Sequence, residues 1–320
     1  MSEVRLPALT GDSPLGILAA IGVLRLLSDF TDDKPQLSWT PRGYTAVLHS
    51  HHLTVDHVVA DLRAVVDGIS DGSVLPGVGA GFPPPGAAPD RLRMPQTRLR
   101  EASESLLSHM AENEQSEVRR WLASLVTDLA ADDKGRAAIS QFTAPSGKQS
   151  MATMLTSPLT DVRKQSDYLR QALVGWRRVP GTTGEYLDHR AMWDAAEDGA
   201  GSANMRGVPG ATWLALMSYP LLRTTASPRR RPLSSGWHTV SAGRRSYNEL
   251  RLPVWDHPLT PSAVAVLIEH PALADCVDRQ TGKLTITSEL RALGVVHVCR
   301  ARRYQAPGGQ SAGVLKTVLS

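Results

Sequence analysis

The densest apolar pattern runs over residues 14–28, where Leu15, Ile17, Leu18, Ile21, Val23, Leu24, Leu26 and Leu27 fall on every side of a helical wheel. Ser13-Pro14 supplies an N-cap followed by a proline at the first helical position, so the spacing predicts a helix buried nearly all round. Residues 37–40 and 44–50 flank Pro41-Arg42-Gly43 and predict a β-hairpin. Thr54 then caps a helix carrying Val58, Val59, Leu62, Val65 and Val66. Amphipathic helices are expected over 97–109, 114–131 and 161–174, with a further segment opening near Ser146. Residues 209–222 read as an apolar helix. Residues 295–303 alternate like a strand, with Val296, Val298 and Arg300 on one face and His297, Cys299 and Ala301 on the other. No period of 20–50 residues recurs, so a solenoid is excluded. The expected class is α+β: helix-rich, with a buried N-terminal helix, small antiparallel hairpins and a helical middle.

Composition adds bounds. A chain of 320 residues that is 42% hydrophobic and 21% charged can bury a core, which excludes disorder, collagen and coiled coil. Length alone suggests about two domains at ~150 residues each. A Gly/Pro tract over 76–95 is the natural linker or long loop, dividing an N-terminal α/β segment, 1–75, from a helix-rich region, 96–320. The stretch from Leu15 to Leu27 is interrupted by Arg25 and is shorter than the ~20 residues of a membrane span. No basic region precedes an apolar core at the N-terminus, so no secretory signal is expected. Cys276 and Cys299 form no zinc or disulfide spacing, and a cytoplasmic, membrane-free setting follows.

Charge is segregated along the chain. Residues 1–80 hold nine acids and five bases, whereas Arg223 to Arg251 holds seven arginines and only Glu249. No acid follows Glu289, while Arg291, Arg300, Arg302, Arg303 and Lys316 do. A basic C-terminal third points to a polyanion, with a solvated basic surface as the plain alternative.

Catalytic motifs fail for want of partners. Gly309-Gln310-Ser311-Ala312-Gly313 matches a nucleophile elbow, but no acid or histidine follows it. Ser146-Gly147-Lys148-Gln149-Ser150 resembles the end of a P-loop, yet Phe142 stands where glycine is required and Gln149 where the magnesium-binding hydroxyl belongs. Lys148 and the backbone beside it remain able to touch a phosphate. His49, His51, His52 and His57 are the one dense histidine group; His49 and His51 share a strand face but lack a third ligand, so no metal is expected. Asp188, Asp194, Glu197 and Asp198 could hold magnesium only if they converge. No cofactor motif is present, and no catalytic residue is assigned.

What remains is binding chemistry. Arg177-Arg178, Arg229-Arg230-Arg231, Arg244-Arg245 and Arg300 with Arg302-Arg303 offer guanidinium forks for phosphate. Trp176, Trp237, Tyr247 and Tyr304 lie beside them, a mixture suited to unpaired bases. Trp176 reads more readily as core. Asn204 and Arg206, in a Gly-flanked polar loop, are candidate base-edge readers, or equally a turn residue and a surface ion pair.

Several blocks together resemble one family. The segment Asp12-Ser13-Pro14-Leu15-Gly16-Ile17-Leu18 through Leu27 is similar to the N-terminus of large-subunit proteins of type I CRISPR effector complexes, nearest the I-G branch, formerly called I-U. Ser146-Gly147-Lys148-Gln149-Ser150 is similar to that family's central Gly-Gln/Lys-Gln-Ser segment. Trp193-Asp194, Asn204, Arg206, Gly210-Ala211, Leu214-Ala215 and Pro220-Leu221 follow another of its blocks, as do Trp255 and Pro258-Leu259. The resemblance implies a non-catalytic subunit of a crRNA-guided ribonucleoprotein. Its partners would be crRNA, target double-stranded DNA, the other effector subunits and a helicase-nuclease. Its tasks would be PAM recognition, holding the displaced strand and docking the helicase-nuclease. A metal-dependent nuclease is the alternative, and it requires Asp188, Asp194 and Asp198 to converge with a fourth acid.

Overall fold

The computed structural model describes residues 1–84, 94–143, 150–193, 205–242, 245–278, 281–304 and 313–318. The chain opens with β1 (Ser2–Thr10), α1 (Pro14–Phe30), β2 (Gln36–Trp39), β3 (Thr45–Ser50) and α2 (Val55–Asp67). Its middle carries α3 (Leu99–Ser108), α4 (Glu112–Leu125), β4 (Val126–Ala131), β5 (Ala137–Ile139), α5 (Met151–Lys164) and α6 (Asp167–Val174). Then come β6 (Val179–Pro180), α7 (Arg190–Trp193), β7 (Arg206–Gly207) and α8 (Pro209–Met217). The last third holds β8 (Thr224–Ala226), β9 (Pro232–Ser234), β10 (Trp237–Ala242) and β11 (Arg245–Trp255). It ends with α9 (Pro261–Ile268), α10 (Ser288–Ala292), β12 (Val295–Tyr304) and β13 (Val314–Thr317). The fold is α+β. A three-stranded sheet, β1-β3-β2, and a four-stranded sheet, β10-β11-β12-β13, are both antiparallel, and short hairpins complete the set.

At the centre, α1 crosses α8. Ser13 caps α1 by accepting from the Gly16 amide, and every residue from Pro14 to Leu27 is buried. All of α8 is buried too. A Cβ on Gly22 would sit 1.8 Å from the Leu214 carbonyl oxygen, so the two backbones touch where only glycine fits. Gly210 plays the same part against Tyr168, whose carbonyl oxygen lies 2.1 Å from its missing Cβ. Arg25, the one charge on this helix's inner surface, is fully buried. Its guanidinium bonds Asp29 at 3.1 Å, the Met217 carbonyl at 3.0 Å and Glu117, beside the Phe30 and Trp121 rings. Burial lowers the Arg25 pKa, and Glu117 and Asp29 oppose that shift.

Residues 1–75 share their core with the rest of the chain. A single apolar cluster runs from Val4 through α1, α4, α5 and α8 to Leu315. A helix with no polar face cannot be covered by one small sheet, so the middle helices close over it. Within the Gly/Pro tract, Val78 and Phe82 pack on this core, and residues 85–93 lie outside the described residues. The helix expected over 114–131 opens at Glu112, stops at Leu125 and becomes β4, which the β-branched Val126-Thr127 opens and its pairing with β5 holds extended. The segment expected over 161–174 is split, with α5 ending at Lys164 and α6 opening at Asp167. Among the described residues no helix is long and apolar enough to cross a membrane.

Gly22→Ala should lower stability by about 3 kcal/mol or more, because backbone carbonyl rather than a flexible side chain opposes the new methyl. Gly175→Ala, with open space around it, should stay within about 0.5 kcal/mol. Urea unfolding of the two variants checks the contrast. Ile21→Asp should be strongly destabilising, since Ile21 is fully buried and Arg25, the nearest cation on the helix at i+4, is already engaged by Asp29 and Glu117.

Candidate nucleic-acid interface

The period of two along β11 puts Tyr247, Glu249 and Arg251 on one face. Antiparallel pairing sets His238 of β10 opposite Glu249 and Arg300 of β12 opposite Arg251. Arg302 stands two residues beyond Arg300 on the same side. This polar face is the site's frame.

Glu249 is fully buried and is the hub of three guanidinium groups. Arg300 bonds both of its oxygens, each at 3.0 Å, and donates to the Gly282 carbonyl at 2.8 Å. Arg251 donates to Glu249 at 3.0 Å and to the carbonyls of Leu273 and Ala274 at 2.8 Å each. Arg302 donates to Glu249 at 2.9 Å and to the Tyr247 hydroxyl at 2.8 Å, with its guanidinium carbon 3.8 Å from the ring centroid. Burial alone would raise the Glu249 carboxyl, but hydrogen bonds from Arg300 and Arg302 outweigh it and hold the group below its ordinary range. Three cations around one anion leave the cluster positive.

Above this face opens a cavity of about 480 Å³. Trp237, His238, Tyr247 and Arg251 line one side, and Ala274, Val277, Asp278 and Gly282 another. Ser227 and Leu233, from the two ends of the β8–β9 hairpin, close its rim. Burial, with the Arg251 charge, pulls the His238 imidazole down to about 4, so it is neutral at pH 7.

The hairpin tip is Arg229-Arg230-Arg231. The Arg230 amide donates to the Ser227 carbonyl, and the Ser227 amide to the Arg231 carbonyl, both at 2.8 Å, so the turn is closed. All three arginines are exposed, and among the described residues no side chain partners them. Arg177 is likewise exposed. The other predicted residues differ. Arg300 faces inward, and Arg303 donates to the carbonyls of Tyr186, Gly313, Gln141 and Phe142, which corrects the expectation that both present themselves to phosphate. A guanidinium whose donors are matched by internal acceptors braces the fold, and burial draws the Arg303 pKa down to about 10. Arg178 is held by Asp188 at 2.7 Å and by the Arg206 carbonyl at 3.0 Å. Arg206 is half-buried in the short β6–β7 pair. The side chain of Arg245 and all of Lys148, Gln149, Asn204 and Arg244 lie outside the described residues, as do Asp194, Glu197 and Asp198.

The rings divide as well. Trp237 is core, edge-on to Phe142 with centroids 5.9 Å apart. Trp176 is half-buried and donates to the Ala172 carbonyl at 3.1 Å. Tyr304 is exposed near Lys316, whose Nζ is 5.2 Å from its centroid. Sequence reasoning missed Glu249, Arg251 and His238 as a unit. The signal was available: a lone acid two residues from Tyr247 and Arg251 in an arginine-rich strand.

His238 binds its proton more weakly folded than unfolded, so the unfolded chain takes up protons first as pH falls. Its contribution is intact above about pH 6.5 and is lost toward pH 4, by roughly 3 kcal/mol at about 1.4 kcal/mol per pKa unit. His238→Phe should flatten the pH dependence of the urea midpoint between pH 7 and 4.5. An unchanged profile would place the sensitivity in His49, His189 or His297, which burial also lowers.

No protein-family model matches this chain, and no curated protein matches it either.

Proposed function

We propose that the chain is the non-catalytic large subunit of a crRNA-guided CRISPR surveillance complex, working in the cytoplasm. In this reading it grips target duplex, reads the PAM, steadies the displaced strand and offers a docking surface to the helicase-nuclease. The family resemblance supplies the class. The observation that carries DNA contact is the exposed Arg229-Arg230-Arg231 tip of the hairpin whose Ser227 and Leu233 line the cavity, together with Tyr247 in the same lining, against whose ring the Arg302 guanidinium lies. Free guanidinium groups neutralise phosphates without sequence preference, while an arginine-backed ring suits a base freed from its stack. The half-exposed Arg302 face makes such a pairing accessible to a single strand.

Binding of labelled duplex by the assembled complex at several salt concentrations is the test. Changing Arg229, Arg230 and Arg231 to Ala together should lower the salt slope by about 2–3, near 0.9 per lost phosphate contact. An unchanged slope would make the tip a solvated turn. Tyr247→Ala should weaken single-strand retention by ~1–3 kcal/mol while leaving the duplex slope alone. Metal-dependent cleavage that disappears in Asp194→Ala would overturn the non-catalytic assignment.

A further inference from the structure

We propose that Asp33, His51 and His52 form a binding site for a divalent transition-metal ion of the zinc type, with one coordination position open to water. The site is independent of the basic cavity and of the function proposed for it.

The hairpin builds it. Gln36 pairs with His49 in the β2–β3 register, so the residues before β2 lie opposite those after β3. Asp33 therefore meets His51 and His52. Thr31, the C-cap of α1, fixes the turn by accepting the Asp33 amide at 3.2 Å, and the Lys34 amide donates to Asp33 Oδ1 at 2.8 Å. His51 Nδ1 stands 3.1 Å from Asp33 Oδ1, and His52 Nδ1 stands 3.4 Å from Asp33 Oδ2. One donor atom from each of the three residues lies within 4.8 Å of the others. Tetrahedral zinc, bonded at about 2.0–2.1 Å, separates its ligand atoms by about 3.3 Å, so donors now within 4.8 Å of one another would draw together by up to about 1.5 Å, which the exposed His51 side chain can supply.

Hydrogen bonding shows why a cation belongs there. Asp33 is 6% exposed, and its Oδ2 has no hydrogen-bond partner. His52 is 2% exposed, and its Nε2 lies 2.9 Å from Asp61 Oδ2 on α2. A proton on Nε2, donated to Asp61, leaves Nδ1 with a lone pair, and the Ser50 hydroxyl is 3.0 Å away. The buried Asp33 Oδ2, without a hydrogen-bond partner, thus faces an imidazole nitrogen whose acceptor lone pair only the Ser50 hydroxyl can meet, and a cation between them would satisfy both. Asp61 is the carboxylate behind a ligating histidine that orients the ring and raises its basicity. Imidazole nitrogen and carboxylate oxygen are the donors zinc takes, and three protein ligands with an open fourth position is a known zinc arrangement. The His51 side chain is 61% exposed, so that position faces solvent.

The sequence group contracts accordingly. His49 turns away to the Ser38 hydroxyl at 2.8 Å, and His57 lies on the exposed side of α2. Asp33, in another loop, supplies the third ligand that the histidines lacked.

The experiment uses the full chain, stripped with a chelator and dialysed, then titrated with zinc chloride by calorimetry and with cobalt(II) by visible absorption. We expect one ion per chain, a tetrahedral cobalt spectrum and a zinc-dependent rise in melting temperature. Asp33→Asn and His51→Ala should each weaken zinc at least ~100-fold, Asp61→Asn ~10–100-fold, and His57→Ala not at all. His51 is exposed, so His51→Ala keeps the test meaningful if Asp33→Asn fails to fold. Wild-type affinity in His51→Ala overturns the site. So does a chain that takes no zinc and instead carries protons on both His52 nitrogens by NMR, which would make the missing cation a proton between Asp33 and Asp61.

Discussion

The contact of α1 with α8 at Gly22 and Leu214 constrains everything else. Neither helix has a face that water could accept, so each must be covered on all sides, and their backbones approach until a Cβ would not fit. Their exits then fix where the polar clusters sit. The C-cap of α1 leads directly into the Asp33 turn. The chain leaving α8 passes through Tyr219-Pro220 into β8 and out to the arginine tip. A one-residue rotation of either helix would displace the cluster that follows it, because each hangs from a rigid end.

Arginine serves two purposes in this molecule, and burial separates them. Arg25, Arg251, Arg300 and Arg303 direct their donors at carboxylates and backbone carbonyls inside the chain. Planar guanidinium can meet several acceptors at once, which lysine cannot, and that explains why inward cations here are arginines. Removing Glu249 would take the shared carboxylate from Arg251, Arg300 and Arg302, so the lone acid of the basic strand is structurally the most consequential charge in the C-terminal sheet.

The α+β class, the capped N-terminal helix, the β2–β3 hairpin, α2 and β12 were legible because their periodicity and caps are local signals. β4 was not: Val126 to Ala131 continues an apolar spacing that a helix would also satisfy, and only its pairing with β5 decides. β1 and the short hairpins carry no local signal strong enough to stand alone, since Pro7 interrupts the first and the others span a few residues. The site was half legible. The basic bias pointed to the strands that carry the arginine cluster, but composition counts a guanidinium without saying which way it faces. Arg229 and Arg303 look alike in sequence and are opposites in space. For the proposed metal site the histidines were visible, while Asp33 required the hairpin register.

The division between free and committed arginines bears on how a polyanion would be captured in the proposed complex. Exposed cations act over about 10 Å at 0.1 M salt, so the tip at Arg229-Arg230-Arg231 is placed to attract a phosphate backbone early and to lose influence as salt rises. Arg302 cannot act that way, being tied to Glu249 and the Tyr247 hydroxyl. What it offers is a fixed plane already stacked on one face of Tyr247, with its entropy lost on folding rather than on binding. Glu249 is shared by three arginines and His238 is neutral at pH 7, so the sheet side of the cavity is net positive, while Asp278 places a carboxylate on the opposite wall. Attraction from a mobile-charge rim and orientation by a rigid floor are separable physical roles, and the hairpin that joins β8 to β9 sets the two side by side.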